Sequence, residues 1–182
     1  MNADSVLIKR AQKGDAKAFA KLIEQEQHRL YTLAIRELGS KSDAEDAVQE
    51  ALIRAWRALP RFRNDSRFST WIYRIQINAI HDQRSKQARH SSQPLDYTHE
   101  QADPRDALHA EELSSDLQKA LNCLDDTYRA SVILSDIVGM PYSEIACTLG
   151  IAEGTVKSRI FRGRAELARL LGTSTPESPS NI

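Results

Sequence analysis

Two stretches of the chain carry side chains suited to nucleic acid. In Arg61-Phe-Arg-Asn-Asp-Ser-Arg-Phe-Ser-Thr-Trp-Ile-Tyr-Arg-Ile-Gln-Ile-Asn78, arginines and aromatic rings interleave. Guanidinium groups can follow a phosphate backbone while rings receive unstacked bases, each stack contributing about 1–3 kcal/mol, which is the chemistry of a single-strand binder. Phe68, Trp71 and Tyr73 also have the spacing of core residues, and Trp71 is read as one; Phe62, in a polar segment, is the ring best placed for bases. The second stretch is 142–162. There Ile145, Ala146 and Leu149 face inward, Gly150 turns the chain, and a following helix turns Val156, Ile160 and Leu167 to the core. Tyr142 opens the motif, and Thr155, Lys157, Ser158, Phe161 and Arg162 are left outward, which is a helix-turn-helix with a reading face. Lys and Arg serve phosphates or guanine edges, Thr and Ser donate to phosphates, and an exposed Phe meets thymine methyls. A helical hairpin with a solvated basic face has the same pattern.

The charge distribution fits two contacts with a polyanion. The 182 residues hold 25 Lys plus Arg and 25 Asp plus Glu, formally neutral, but residues 1–90 sum to +6, 91–112 to −5 and 113–182 to −1. Within them, 54–89 has nine basic side chains against Asp65 and Asp82, and 155–169 has five against Glu166.

Signals for enzymatic chemistry are sparse. His81-Asp82, with His28 upstream, permits the reading of an all-helical metal phosphohydrolase, which needs further ligands converging on the ion. Cys123 and Cys147 lack the spacing of a zinc site or a disulfide framework and read as small core residues. No cofactor motif is present. No apolar run approaches a membrane span and no apolar segment precedes a cleavage-type site near the start, so a cytoplasmic location without membrane insertion is expected.

These residues must be held by helices. Only 7 Gly and 6 Pro occur, and 41% of residues are apolar, so the composition predicts an all-α protein with a packed core. The pattern predicts a short helix over 5–12, then a longer one carrying Phe19, Leu22, Ile23, Leu30, Leu33, Ala34 and Leu38 and ended by Gly39. Ser42 with Glu45 reads as a capping box for a helix that runs to Leu59. Its inward stripe is Ala44, Val48, Ala51, Leu52, Ala55 and Leu59; Asp46, Gln49, Glu50, Ile53 and Arg57 share the outer face. Another helix turns Phe68, Ile72, Ile75 and Ala79 inward and Arg67, Arg74, Asn78 and His81 outward. A first domain therefore spans 5–90. An acidic linker follows over 91–112, then a second domain over 113–171 with helices near 113–124, 126–137, 142–149 and 153–171, and a disordered tail over 172–182.

Asp43-Ala-Glu-Asp-Ala-Val-Gln-Glu50, Phe62-Arg63, Ser69-Thr-Trp-Ile-Tyr-Arg-Ile75 with Asn78, and Gly154-Thr-Val-Lys-Ser-Arg-Ile-Phe-Arg162 stand in an order that closely resembles bacterial sigma factors of the extracytoplasmic-function (ECF) group. The resemblance covers residues near 5 to 171. It implies a first helical domain that binds RNA polymerase core and reads and melts the −10 element, and a second that reads duplex at −35. By the same resemblance, Asp46, Gln49, Glu50 and Ile53 dock on the coiled coil of the polymerase clamp, which gives the exposed isoleucine a role. Arg54, Phe62, Arg63, Asn64, Phe68 and Asn78 surround a flipped base, and Arg74 and Arg84 approach the adjacent backbone.

The implied partners are polymerase core with its beta and beta-prime subunits, promoter DNA and an anti-sigma factor. Asp125 and Ala152 stand where the family favours proline. Gly163 stands where alanine is usual, which is expected to weaken its helix by up to about 1 kcal/mol. A regulator using the helix-turn-helix without polymerase is the main rival reading.

Overall fold

The computed structural model describes residues 3–90 and 110–172. Most of the expected linker and the tail beyond Gly172 lie outside those residues. Among the described residues every regular element is helical.

The first group opens with α1 (Ala3–Gln12) and α2 (Ala16–Glu24). Asp15 caps α2, its carboxylate accepting from the Lys17 and Ala18 amides at 3.0 and 3.1 Å. The long helix expected from Phe19 to Leu38 is instead two, because the chain breaks at Gln25 and Glu26 before α3 (Gln27–Leu38). Ile23 and Leu30 are seven residues apart, so the apolar period runs through the break unaltered and does not reveal it. Glu26 is held from a distance, its carboxylate accepting from the Tyr73 hydroxyl at 2.9 Å.

Gly39 closes α3 with φ of 70°, and α4 (Lys41–Ala58) restarts at once. Its cap is Ser40, accepting from the Asp43 amide at 3.4 Å, rather than Ser42. The left-handed glycine ends one helix and leaves only one residue before the next, so Ser42 falls inside the first turn. Ala44, Ala47, Ala51 and Ala55 are the buried face of α4, and Val48 and Leu52 lie at its margin. A 3-10 turn (Leu59–Arg61) follows. The Gln12 amide sews it to α1 by donating to the Phe62 carbonyl at 2.8 Å.

Helix α5 (Phe68–His90) is buried over much more of its circumference than the expected stripe: Tyr73, Gln76, Ile77 and Ile80 join Phe68, Ile72 and Ala79, while Ile75 is half-buried. Tyr73 is held by Glu26 within the first group, and the second group packs on α5 through its helix Tyr142–Leu149.

That group comprises α6 (Ala110–Cys123), α7 (Asp126–Val132) running into a π-helical turn (Ile133–Ile137), α8 (Tyr142–Leu149) and α9 (Glu153–Leu170). Helix α6 starts three residues inside the expected linker. Both cysteines are exposed rather than core. Asp125 caps α7, accepting from the Thr127 amide at 2.9 Å and its hydroxyl at 2.6 Å, which explains an acid where the family favours proline. Gly163 also has a structural reason. It is buried, and a Cβ there would stand 2.6 Å from Val132 Cγ2 and 3.2 Å from Tyr128 Cβ, so α9 approaches α7 too closely for any side chain. The expected weakening is the cost of that approach.

The two groups share one apolar cluster, with α5 against α8 and α3 against α6 and the π-helical turn.

Candidate nucleic-acid interface

Helices α8 and α9 form the helix-turn-helix with the expected bounds at its turn, α9 ending one residue before the expected Leu171. Gly150 at φ 67° ends α8, and α9 begins at Glu153. Lys157, Ser158, Phe161 and Arg162 are exposed, Thr155 and Tyr142 half-buried. Phe161 is 71% exposed, the most exposed large apolar side chain among the described residues. Lys157 pairs with Glu153 at 3.2 Å, and the Ser158 hydroxyl donates to the Thr155 carbonyl at 2.9 Å, so both exchange an internal partner for any ligand. Arg164 grips Asp136 through two bonds of 2.8 and 2.6 Å, fixing α9 to the π-helical turn. The Asp136 carboxylate in turn holds that guanidinium above its ordinary pKa.

The second expected site is altered. Phe62 and Phe68 do not project to solvent; each is 8% exposed. Their rings meet at 6.2 Å edge to face, and Trp71 lies 4.9 Å from Phe62 and 5.6 Å from Phe68. A phenyl ring in a short segment between two helices is driven into the nearest apolar gap, and the three rings form a buried knot beneath the loop. Arg63 and Asn64 stand exposed on that loop, Asn64 at φ 59°. Arg54 is not brought to the knot either. Its guanidinium is held by Glu50 at 2.7 Å, one turn back on α4, and by Asp82 of α5 at 2.6 Å.

Arg74 and Asn78 are exposed positions on α5, but the Arg74 guanidinium donates to the Cys147 carbonyl of α8. Arg84 has a side chain only 17% exposed and meets Glu37 at 2.7 Å and Asp126 at 2.8 Å.

On α4, Asp46, Gln49, Glu50 and Ile53 converge with Arg54, Asp82 and Lys86 along a groove of about 320 Å³ between α4 and α5. Ile53 is 39% exposed. Trp56, which the sequence reading passed over, continues this surface and lies 5.2 Å from the Phe19 ring. Its signal was present, three residues after Ile53 on the same outer face.

A buried charge cluster was also missed. Glu37 of α3, 3% exposed, meets Arg84 of α5, and Asp126 bridges Arg84 to Arg129 of α7 at 3.1 Å. Burial pushes the Glu37 carboxyl up to about 7, against the pull of Arg84 and Arg129. A carboxyl with a raised folded pKa binds more protons folded than unfolded, so this group makes stability fall as pH rises from about 4.5 to about 7. Between about pH 5 and about pH 7.5, urea unfolding of the wild type is expected to lose midpoint relative to Glu37→Gln. Parallel pH profiles would contradict the burial of an ionisable group there.

Asp82, half of the His81-Asp82 dipeptide, is committed to Arg54, and no three His, Cys, Asp or Glu side chains among the described residues are grouped to hold a metal. No described helix is long and apolar enough to cross a membrane.

Comparison with known proteins agrees with this geometry. The family model of sigma-70 region 2 matches residues 22–90, and that of sigma-70 region 4 matches 114–167. The ECF RNA polymerase sigma-E factor of Escherichia coli K12 is 38% identical over 173 residues, covering 88% of this chain and 90% of that protein. The chain belongs to the ECF group of the sigma-70 family. It is therefore a transcription-initiation factor that directs RNA polymerase to promoters and not an enzyme, which removes the phosphohydrolase reading. ECF sigma factor SigE of Mycolicibacterium smegmatis is 39% identical over 162 residues, 86% of this chain but 63% of that longer protein, so the chain spans less than two thirds of that relative. Among solved structures, the sigma factor RpoE bound to the anti-sigma factor NepR from Bartonella quintana superposes with a TM-score of 0.72 at 28% identity, covering 88% of this chain and all of that one.

Proposed function

We propose that this sigma factor docks on polymerase core through the outer face of α4, reads the −35 element as duplex through α9, and holds the −10 element as melted strand against the loop before α5. The division of labour follows two domains, 5–90 and 113–171, joined by 91–112. The observation that carries the docking assignment is Ile53, a large apolar side chain left exposed among Asp46, Gln49 and Glu50. An apolar centre with a polar rim is the usual anatomy of a protein interface, and Trp56 extends it. Arg54 acts here as a positioning residue that fixes Glu50, rather than as a DNA contact.

On α9, Arg162 and Lys157 offer charge to the major groove, Thr155, Ser158 and Tyr142 offer hydroxyls, and Phe161 offers an apolar face. At −10, Arg63, Asn64, Arg74 and Asn78 are the contact groups. Phe62, Phe68 and Trp71 stiffen the loop from beneath. Unstacking a base costs a few kcal/mol, which contacts to the extracted base must offset. The resemblance to a sigma factor solved with an anti-sigma factor supports such a partner here, and the role itself implies a cytoplasmic location.

The docking assignment is tested by Ile53→Asp, expected to abolish co-elution with core while leaving thermal unfolding within about 0.5 kcal/mol, as befits an exposed position. Undiminished co-elution would remove α4 from the interface. Arg162→Ala, by the same logic, is expected to cost about 1–3 kcal/mol of promoter binding and to relax sequence preference at one upstream base pair. Unchanged preference would overturn that contact.

A further inference from the structure

The loop assigned to the −10 strand is held at two levels. Its side-chain anchor is the Phe62 ring, locked against Phe68 and Trp71. Its backbone anchor comes from α1, 50 positions earlier in the chain: the Gln12 amide donates to the Phe62 carbonyl at 2.8 Å and to the Leu59 carbonyl at 3.3 Å. Those carbonyls bracket the 3-10 turn, which the Phe62 amide closes by donating to Leu59 at 3.0 Å. Among the described residues no other side chain is hydrogen-bonded to 59–66. A glutamine suits the task, since one nitrogen carries two N–H donors for two acceptors.

The clamp is itself firmly mounted. Gln12 ends α1 next to the buried Ala11, and the turn beyond it is closed by the Gly14 amide on the Ala11 carbonyl at 2.9 Å and the Asp15 amide on the Arg10 carbonyl at 3.2 Å. Asp15 then caps α2 and pairs with Arg10 at 2.7 Å. On the loop side, a peptide unit is planar, so fixing the Phe62 carbonyl oxygen also constrains the nitrogen and Cα of Arg63. Asn64 follows at φ 59°, a left-handed conformation uncommon outside glycine. The direction in which Arg63 and Asn64 leave the loop is thus set at the peptide that Gln12 holds.

We propose that Gln12 is a positioning residue for −10 recognition: α1, which carries none of the assigned DNA contacts, governs base selection by fixing the peptide from which Arg63 and Asn64 project. This rests on the assignment of that loop to DNA made above. Selective contact needs groups held within about 0.5 Å of their productive geometry. A released loop samples several positions, which flattens the difference between right and wrong bases. Attraction to phosphates, which carries no sequence information directly, is left in place.

The test uses holoenzyme assembled from the full chain and core polymerase. Wild type is first used to enrich templates from a duplex pool randomised over the −35 and −10 elements. The enriched template and its single-base variants are then prepared with the −10 region unpaired, and the ratio of their affinities is measured at each position. Gln12→Leu keeps the bulk without a donor, and Gln12→Glu keeps the length without an N–H. Each is expected to lower the ratio about tenfold at one or more −10 positions, as the loss of two hydrogen bonds allows, with −35 ratios and co-elution with core unchanged. A protein that is merely less stable binds every template more weakly by one factor, so its ratios do not move.

Unchanged −10 ratios in both Gln12 variants would overturn the proposal. The double variant Arg63→Ala, Asn64→Ala separates the two levels of the reading. If it loses the −10 ratios while the Gln12 variants keep them, the clamp is only structural and the loop's role stands. If it keeps them, the loop does not select the base, and the assignment falls together with the role of Gln12.

Discussion

Phe62→Ala is expected to destabilise the protein by about 3–5 kcal/mol and to depress open-complex formation equally on duplex and pre-melted promoters. The ring is 8% exposed and packs 4.9 Å from Trp71 and 6.2 Å from Phe68, so truncation leaves a cavity in a knot with no spare side chain to fill it. Its backbone carbonyl is already pinned by Gln12, which limits how far the loop can collapse into the gap. Loss of the knot loosens Arg63 and Asn64 together, before any step at which strands separate. Urea unfolding and transcription on the two templates decide the matter. Wild-type stability with a defect confined to duplex templates would mean that the ring leaves the knot and stacks on a base.

Arg129→Ala is the second large effect, about 3–5 kcal/mol, because it removes one partner from a buried charge cluster. The Arg129 side chain donates to the Asn122 carbonyl at 3.0 Å and the Leu124 carbonyl at 2.5 Å, satisfying the C-terminal end of α6, and pairs with Asp126. Alanine would leave those carbonyls without the donor and Glu37 with Arg84 as its remaining cation. Arg129→Lys is expected to recover only part of the loss, since one ammonium cannot reproduce a planar fork reaching three acceptors. Arg169→Ala, at an exposed position on α9, serves as the comparison and is expected to change stability by less than about 0.5 kcal/mol. An Arg129→Ala effect no larger than that would show the cluster to be structurally idle.

The parts of the molecule governed by local pattern were legible in the sequence. Helix α8 ends at Leu149 because Gly150 follows, and α9 starts where its apolar period starts, so the turn between them was readable to the residue. The outer face of α4 was readable for the same reason: Asp46, Gln49, Glu50 and Ile53 share it at helical spacing. What periodicity did not carry is anything set by contacts distant in sequence. The break between α2 and α3 preserves the period, and Ser40 takes the cap from Ser42 through the tight restart after Gly39. Phe62 looked available because its neighbours are polar; its burial depends on Phe68 and Trp71 meeting it from α5. The second group's coverage of α5, and with it the engagement of Arg74 and Arg84, has no local signature.

Glu37 did leave a trace. It stands three residues after Ala34 and four after Leu33, on the buried side of α3, and a carboxylate in an apolar stripe calls for a buried cation somewhere in the fold.

The most direct test is co-elution of the purified protein with bacterial core RNA polymerase on a sizing column at moderate salt. Docking through the exposed face of α4 predicts a stoichiometric complex that Ile53→Asp abolishes, with promoter DNA bound strongly only in the presence of core. Failure to co-elute with an active core, together with tight duplex binding by the protein alone, would contradict the sigma-factor mechanism and point to a regulator that uses its helix-turn-helix unaided.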